Sequence, residues 1–321
     1  MSARLFMAPT DEPRCFVCGS ERSALLLRSA NGFPIHRCAD CGVAFTDDRD
    51  APPAPALYPA FDQTRASTFL STVRSALAVF LRQREAVVRS MKPSGRLLDF
   101  GCGNGAFARW MAGRGYEAVG LEPFSLGEPV TSGNLTLLRA PLEKAEASLG
   151  TFDVITLWQV LEHLRNPVQV LERLRRHLRP DGVMVVSVPN LRSWQSALFR
   201  GRWFHLDPPR HLVHFDPDTL RGCLKRAGLE VVAERHVLPE YGTSGWVQSV
   251  LNRILPHQNY LYELVKDRGA LAGMPASSSA AHLAASMLIG GPVLALSLPL
   301  EAAAGVTCAG ATITYGARAA A

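Results

Sequence analysis

A glycine-rich turn near the middle of the chain most constrains its fold. Residues 96–100 (RLLDF) have the pattern of a short buried strand, and residues 106–113 have that of a helix. Glycines at positions 101, 103 and 105 separate the two. Glycine permits positive φ and close approach of a ligand to the backbone, and a helix N-terminus offers unpaired amide donors. The turn therefore predicts a strand–turn–helix unit that binds a charged ligand.

Strands and helices alternate after this turn, which predicts an α/β fold. Further strands are expected at residues 116–121, 135–138, 152–157, 182–188, 229–237 and 311–317, and helices at residues 168–178 and 217–227. Such alternation is typical of a parallel sheet with helices on both faces.

Four cysteines near the N-terminus have the spacing of a zinc site. Cys15 and Cys18 form one CxxC pair, and Cys38 and Cys41 form a second pair after 19 intervening residues. Four thiolates hold Zn²⁺ tetrahedrally and leave no open position, so such a zinc is structural. We expect a small zinc ribbon here, with a redox pair or an iron–sulfur cluster as the alternatives.

Composition narrows the range of partners and locations. The chain has 321 residues, of which 47% are hydrophobic, and a net charge of +6. This excess is too small to predict nucleic-acid binding without a clustered patch. Residues 1–12 lack the apolar core of a secretory signal, and the cysteines fit a reducing compartment, so we expect a cytoplasmic protein.

An uncharged run covers residues 283–300 near the C-terminus. A membrane-spanning helix needs about 20 apolar residues, and Pro292 and Pro299 interrupt this run. We therefore expect two short apolar helices. They would lie in the core, cover an apolar substrate, or make peripheral contact with the inner membrane surface.

The patterns divide the chain into five segments. They are a zinc ribbon (1–50), a proline-rich linker and helix (51–92), an α/β core (93–237), a hydrophobic helical insertion (238–310), and a final core strand with a tail (311–321).

The glycine turn by itself fits two cofactors. Gly101, Gly103 and Ala106 also match the dinucleotide fingerprint, which accepts alanine at its third position. Glu122, about twenty residues further on, can accept hydrogen bonds from ribose hydroxyls of either cofactor. Asp99 favours S-adenosylmethionine, because it can hold an ammonium group that NAD lacks there. A nicotinamide-dependent oxidoreductase remains one rival, and a non-catalytic zinc-ribbon module that binds nucleic acid remains another.

Four motifs together resemble the class I S-adenosylmethionine-dependent methyltransferases. They are residues 97–105 (LLDFGCGNG), 119–122 (VGLE), 152–163 (FDVITLWQVLEH) and 182–190 (GVMVVSVPN). The resemblance implies a Rossmann-like, doubly wound sheet of seven strands, whose last strand is antiparallel and lies between the fifth and sixth. It implies that cofactor contacts come from Asp99, Phe100, Gly101, Cys102, Gly103, Gly105, Glu122, Pro123, Leu142, Trp158, Gln159 and Leu161.

A histidine-rich loop follows the fifth strand, where open α/β sheets place substrate. Residues 203–215 (WFHLDPPRHLVHF) are similar to a subgroup near ubiquinone-type O-methyltransferases and polysaccharide gene clusters. Either the charged residues and histidines pair to hold the loop, or His211 or His205 removes a proton from an acceptor hydroxyl, with His163 as a further candidate. We expect a small acceptor (a sugar, a quinone precursor or a lipid-linked intermediate) and O- or C-methylation.

Overall fold

The computed structural model describes residues 13–52, 57, 78–124, 128–266 and 274–320. It divides into two compact units. The ribbon unit comprises Met1–Arg49, Pro189–Pro217 and Arg235–Ile313, and the sheet unit comprises Asp50–Val188, Asp218–Glu234 and Thr314–Ala321. Residues 53–56 of the expected linker and the first part of the helix expected after it lie outside the described residues.

The elements are numbered in chain order. The strands are β1 (Ser23–Arg28), β2 (Pro34–Cys38), β3 (Ala44–Thr46), β4 (Arg96–Phe100), β5 (Glu117–Leu121), β6 (Val130–Ser132), β7 (Leu135–Leu138), β8 (Phe152–Trp158), β9 (Leu178–Pro189), β10 (Val213–His214), β11 (Leu229–Arg235) and β12 (Thr312–Ala319). The helices are α1 (78–89), α2 (Ala106–Ala112), α3 (Leu142–Leu149), α4 (Pro167–Arg175), α5 (Trp194–Phe199), α6 (Pro217–Arg226), α7 (Pro239–Ile254), α8 (Tyr260–Lys266) and α9 (Ala276–Val306).

One large sheet organises the sheet unit, with the strand order β11-β12-β9-β8-β4-β5-β7-β6. β4 runs parallel to β5 and β8, and β8 runs parallel to β9. The seven strands predicted from sequence are confirmed, and β12 lies between β9 and β11 as expected. β6 is an additional short strand, antiparallel to β7, whose sequence VTS lacks the apolar run that marks the others.

The strand order reverses direction at β4. From this strand the chain builds outward through β5 and β7 on one side, and through β8 and β9 on the other. Open α/β sheets bind ligands in the crevice at the carboxyl ends of the strands where the order reverses. The glycine turn leaves β4 at its carboxyl end, so the fold itself places the turn in this crevice.

The ribbon unit carries a smaller antiparallel sheet with the order β1-β2-β3-β10. β10 belongs to the histidine-rich loop, and it pairs with β3 through Val213 opposite Phe45 and His214 opposite Ala44. A small apolar cluster beneath this sheet joins Ile35 to Trp203 and its neighbours. The cysteine-containing segment and the loop after β9 therefore form one folded body.

The expectation of two short apolar helices was wrong. Residues 276–306 form a single helix, α9, which contains both Pro292 and Pro299. Each proline removes one helical hydrogen bond and can bend a helix without ending it. Packing keeps α9 continuous, because one face lies along α7. The side chains of this contact are Val247 and Leu251 on α7 and Leu255 directly after it, with Ala285, Ile289 and Val293 on α9.

Candidate active site and cysteine cluster

The glycine turn has three residues in the left-handed region, Gly101, Gly103 and Gly105, with φ of 72°, 56° and 76°. A side chain at Gly101 would collide with Val160, and one at Gly105 would collide with Leu137. A side chain at Gly103 would meet no protein atom within 4 Å. Two of the glycines are therefore required by packing, while the third borders open space where a ligand can approach the backbone.

Two buried carboxylates flank this turn. Asp99 accepts a hydrogen bond from the Thr156 hydroxyl at 2.8 Å, and burial raises the pKa of Asp99 to about 6. Glu122 accepts hydrogen bonds from the backbone N–H groups of Gly103 at 3.1 Å and Phe124 at 2.9 Å. Glu122 thereby ties the turn to the end of β5. A buried carboxylate with a raised pKa is stabilised by a cationic ligand, which suits Asp99 to an ammonium group.

The end of β8 presents two buried donors, Trp158 Nε1 and Gln159 Nε2, that have no hydrogen-bond partner among the residues that the structure describes. Gln159 adopts a φ of 55°, which is uncommon for a residue other than glycine. The Trp158 ring packs edge-on against Phe107, with the ring centres 5.6 Å apart. Unpaired buried donors are costly and mark places where a ligand supplies acceptors. The donor set thus fits a cofactor that carries a carboxylate and ribose hydroxyls.

The other residues assigned to the cofactor lie at the same edge of the sheet. Phe100 ends β4, Cys102 lies in the turn, Pro123 follows β5, Leu142 begins α3 after β7, and Leu161 opens a short 3-10 turn after β8. Leu142 and Leu161 are buried, and burial raises the pKa of the Cys102 thiol. The sheet unit therefore brings the whole predicted cofactor set to the carboxyl ends of adjacent strands.

Two histidines of the loop, His205 and His211, are held by backbone groups. His211 Nδ1 lies 2.8 Å from the carbonyl oxygen of His205, and His205 Nε2 lies 2.9 Å from that of Tyr241. Because a carbonyl only accepts, the bonded nitrogen of each ring is the protonated one. Burial lowers the pKa of His205 to about 4. His163, the third candidate, belongs to the sheet unit.

Further contacts stabilise the loop. Asp207 and Arg210 form an ion pair at 2.8 Å, as one of the two sequence interpretations anticipates. His214 Nε2 lies 2.9 Å from the Thr46 hydroxyl of β3, and burial lowers the pKa of His214 to about 3. Sequence reasoning missed Thr46, because a lone threonine in the N-terminal segment carries no signal of a partner 168 residues away.

Sequence reasoning also missed Glu301, the charged residue within α9. Its buried carboxylate accepts hydrogen bonds from the Gln195 amide at 3.1 Å, the Trp246 indole N–H at 3.2 Å and the backbone N–H of Ala311 at 2.6 Å. Glu301 thus anchors the C-terminal part of α9 to the rest of the ribbon unit. The signal that could have revealed this role is the single acidic residue in an otherwise apolar stretch of sequence.

The four N-terminal cysteines come together in two matching loops. In each loop the first cysteine's N–H bonds to a carbonyl five residues on, and the glycine four residues on bonds back to it. Those glycines, Gly19 and Gly42, have φ of 76° and 75°. The ligand atoms of the cysteines all lie within 4.8 Å of one another, with two sulfur–sulfur contacts of 3.5 Å. A tetrahedral ZnS₄ site has sulfur–sulfur edges of about 3.8 Å, so the cluster fits zinc.

Comparisons with known proteins decide between the two cofactors that the turn permits. A family model described as "Methyltransferase domain" matches residues 70–234, just over half of the chain. The chain belongs to the class I S-adenosylmethionine-dependent methyltransferases. It is an enzyme that transfers a methyl group from S-adenosylmethionine to a small molecule, and the nicotinamide alternative is set aside.

Relatives of known name are similar to this methyltransferase over its core. A ubiquinone biosynthesis O-methyltransferase of Cereibacter sphaeroides is 29% identical over 186 residues, covering 54% of this chain and 74% of the relative. One of Ruegeria pomeroyi is 30% identical with the same coverage. A solved S-adenosylmethionine-dependent methyltransferase from Mesorhizobium loti is 18% identical, with a TM-score of 0.42, and covers 73% of this chain and 96% of that chain.

Proposed function

We propose that this methyltransferase O-methylates a lipophilic acceptor of the quinone-precursor type, which it takes from a membrane surface. The relatives that are about 30% identical carry the name of ubiquinone biosynthesis O-methyltransferases, which supports oxygen as the methylated atom. The observation that carries the membrane part is the exposed face of α9. Its exposed large side chains are Leu283, Met287, Leu288, Leu294, Leu296, Leu298, Leu300 and Val306.

The chemistry of this face favours lipid over a protein partner. Met287 and Leu288 are 73% and 78% exposed, and Glu301, the charged residue of α9, is buried. Within residues 277–306 an 18-residue window has a mean hydropathy of 1.8, and by length and composition alone this helix could cross a membrane. Protein interfaces are enriched in aromatic residues and arginine. A purely aliphatic face without charge is suited instead to the acyl boundary of a bilayer.

For the chemical step, bound S-adenosylmethionine supplies the methyl group at its sulfonium centre. The chain's own residues hold the cofactor through Asp99, Glu122 and the turn around Gly103. They must also align the acceptor and exclude water, since methyl transfer is an in-line displacement. We assign to His211 the role of the base that removes the proton from the acceptor's hydroxyl group. Its Nδ1 is bonded to the His205 carbonyl, so the basic lone pair resides on Nε2.

His205 serves this proposal as a positioning residue. Its carbonyl orients His211, and its own pKa near 4 makes its ring a weak base at neutral pH. We further propose that Cys15, Cys18, Cys38 and Cys41 hold a structural zinc ion. That ion would stabilise the sheet to which the histidine-rich loop contributes β10.

Vesicle sedimentation coupled to a labelled-methyl assay tests the proposal. The replacements Met287→Glu and Leu288→Glu together should reduce binding to phosphatidylcholine vesicles, and should reduce methylation of phenolic acceptors embedded in them. Leu25→Glu, at a 53% exposed leucine of β1, is the matched control and should change neither. Unchanged vesicle binding in the α9 variant would contradict the membrane role. Label that enters only water-soluble sugars would contradict the acceptor class.

A further inference from the structure

The ribbon unit contains a pocket of about 340 Å³ whose lining includes four arginines, Arg28, Arg200, Arg202 and Arg253. Neither cofactor binding nor the proton transfer assigned to His211 uses these residues. We propose that this arginine pocket binds a phosphate group, as a phosphate monoester or a diphosphate.

The first support for the pocket is a close backbone contact between two distant segments. The N–H of Ala30, just after β1, donates to the carbonyl oxygen of Gly201 at 2.8 Å. A side chain at Gly201 would collide with the carbonyl oxygen of Arg28, so only glycine permits this approach. The contact brings Arg28 beside the turn that carries Arg200 and Arg202.

A second contact joins this turn to the end of α7. Arg202 donates from Nη1 to the carbonyl oxygen of Asn252 at 2.9 Å, and the buried Asn252 amide donates back to the Arg202 carbonyl oxygen at 3.3 Å. Arg253 follows Asn252 directly. Three separate segments are therefore held together by specific hydrogen bonds, and each contributes at least one arginine to the same pocket.

Within the described part of the chain, no carboxylate offsets the charge of this pocket. None of the described residues that line it is acidic. Among the described residues, other arginines of the ribbon unit have carboxylate partners, such as Arg22 with Asp40 and Arg210 with Asp207. Four positive charges that line one pocket raise the local electrostatic potential, and a bound anion is attracted to it.

The geometry of arginine indicates which anion. The planar guanidinium matches the oxygens of a phosphate in paired hydrogen bonds, and four such groups suit a ligand with more than one negative charge. Arg200 also adopts a φ of 49°, a strained backbone conformation of the kind that clusters at ligand sites. Two sources share this chemistry, the headgroup of an anionic lipid and a soluble phosphorylated molecule.

Titration calorimetry of the full zinc-loaded chain with inorganic pyrophosphate is the first arm of the test. The variant Arg200→Gln/Arg253→Gln removes two pocket charges whose side chains, within the described ranges, make no bond that holds the turn. It should weaken binding by about a hundred-fold, since each charge-assisted hydrogen bond accounts for roughly ten-fold. Arg176→Gln/Arg226→Gln removes two exposed charges from the sheet unit and is the control, with an expected change below about two-fold.

Sedimentation with phosphatidylcholine vesicles, with and without phosphatidic acid (a lipid phosphate monoester), is the second arm. Selective loss of pyrophosphate binding in the pocket variant assigns the site to a soluble phosphate. Selective loss of the preference for phosphatidic acid assigns it to a lipid headgroup. The proposal is overturned if both variants respond equally to both probes, or if the native chain binds neither. Unchanged affinity for S-adenosylhomocysteine shows that the sheet unit stays folded in each variant.

Discussion

The sheet unit and the ribbon unit are stabilised by different interactions. In the sheet unit, strands such as β8 are buried along their whole length, and their apolar side chains form a core that needs no further ligand. The ribbon unit relies less on apolar packing. Its stability comes in large part from buried polar side chains, such as Glu301 and Asn252, and from the four-cysteine cluster. The first kind of core tolerates changes of condition, whereas the second depends on protonation, on complete hydrogen bonding and on the zinc ion that we propose the cysteines hold.

Loss of one of the four cysteines should give the largest difference between the effects on the two units. Cys38→Ser should lower the bound zinc and destabilise the ribbon unit by several kcal/mol, because structural zinc contributes ~10 kcal/mol or more to folding of such segments. Amide hydrogen exchange should rise over β1–β3 and β10, and methyl transfer should be lost. Affinity for S-adenosylhomocysteine should stay within about two-fold, since the sheet unit supplies that site.

The control for this change is Cys223→Ser, at a buried cysteine of α6 in the sheet unit. It should leave zinc content and exchange in the ribbon unit unchanged. If Cys38→Ser and Cys223→Ser gave the same exchange pattern, the claim that the two units are stabilised by different interactions would be wrong.

Removal of the proposed base should affect turnover without affecting the cofactor. His211→Asn should lower kcat by about a hundred-fold or more, the usual contribution of a general base, and remove the acid limb of the pH–rate profile. His205→Asn removes the ring's bond to the Tyr241 carbonyl and keeps the backbone carbonyl that orients His211, so it should lower kcat less and keep that limb. An acid limb that survives in His211→Asn would contradict the assignment and direct attention to His163.

Removal of the Asp99 charge should weaken the cofactor without affecting zinc. Asp99→Asn loses a buried charge-assisted contact to the cofactor's ammonium group, so affinity for S-adenosylhomocysteine should fall about ten- to hundred-fold. The exposed carboxylate of Asp181 provides the control, and Asp181→Asn should leave the affinity unchanged. Equal affinity in the Asp99 variant and the native chain would rule out this contact.

The pH dependence of the two units should have opposite signs. Burial raises the pKa of Asp99 to about 6, so its ionisation destabilises the ligand-free sheet unit as pH rises through that value, and cofactor affinity should increase over the same range. In the ribbon unit, burial lowers the pKa of His205 to about 4 and of His214 to about 3, from an ordinary value of 6.5. The unfolded chain takes up these protons first, so stability falls as pH drops below 6.5.

Hydrogen exchange corrected for its intrinsic pH dependence measures this contrast. Protection of the ribbon unit should decrease between pH 6.5 and the lowered histidine pKa values, by at most ~3 kcal/mol for His205 and ~5 kcal/mol for His214. Protection of β4 and β5, in the sheet unit, should not decrease over the same pH range. Loss of protection in both units as the pH falls would contradict the opposite pH dependence.

Local pattern was sufficient to predict seven strands of the sheet unit, and in the ribbon unit it predicted the cysteine cluster but not the fold around it. β4 and the helix after it begin at the residues expected, since a strand, three glycines and an apolar helix are encoded within a short stretch. α9 was predicted incorrectly, because its continuity across Pro292 comes from packing on α7. The pairing of His214 with Thr46 and the arginine pocket join segments far apart in sequence, and single-chain patterns carry no signal for such contacts.

Titration calorimetry with S-adenosylhomocysteine tests the central claim most directly when two glycines are compared. Gly103 and Gly133 have nearly the same φ, 56° and 57°, and a side chain at either would meet no protein atom within 4 Å. Alanine at either position should therefore cost the same ~1 kcal/mol of stability. We predict saturable binding to the native chain and to Gly133→Ala, and at least about ten-fold weaker binding to Gly103→Ala. Equal binding by the two variants, or no binding to the folded native chain at millimolar concentration, would contradict a cofactor site at the glycine turn.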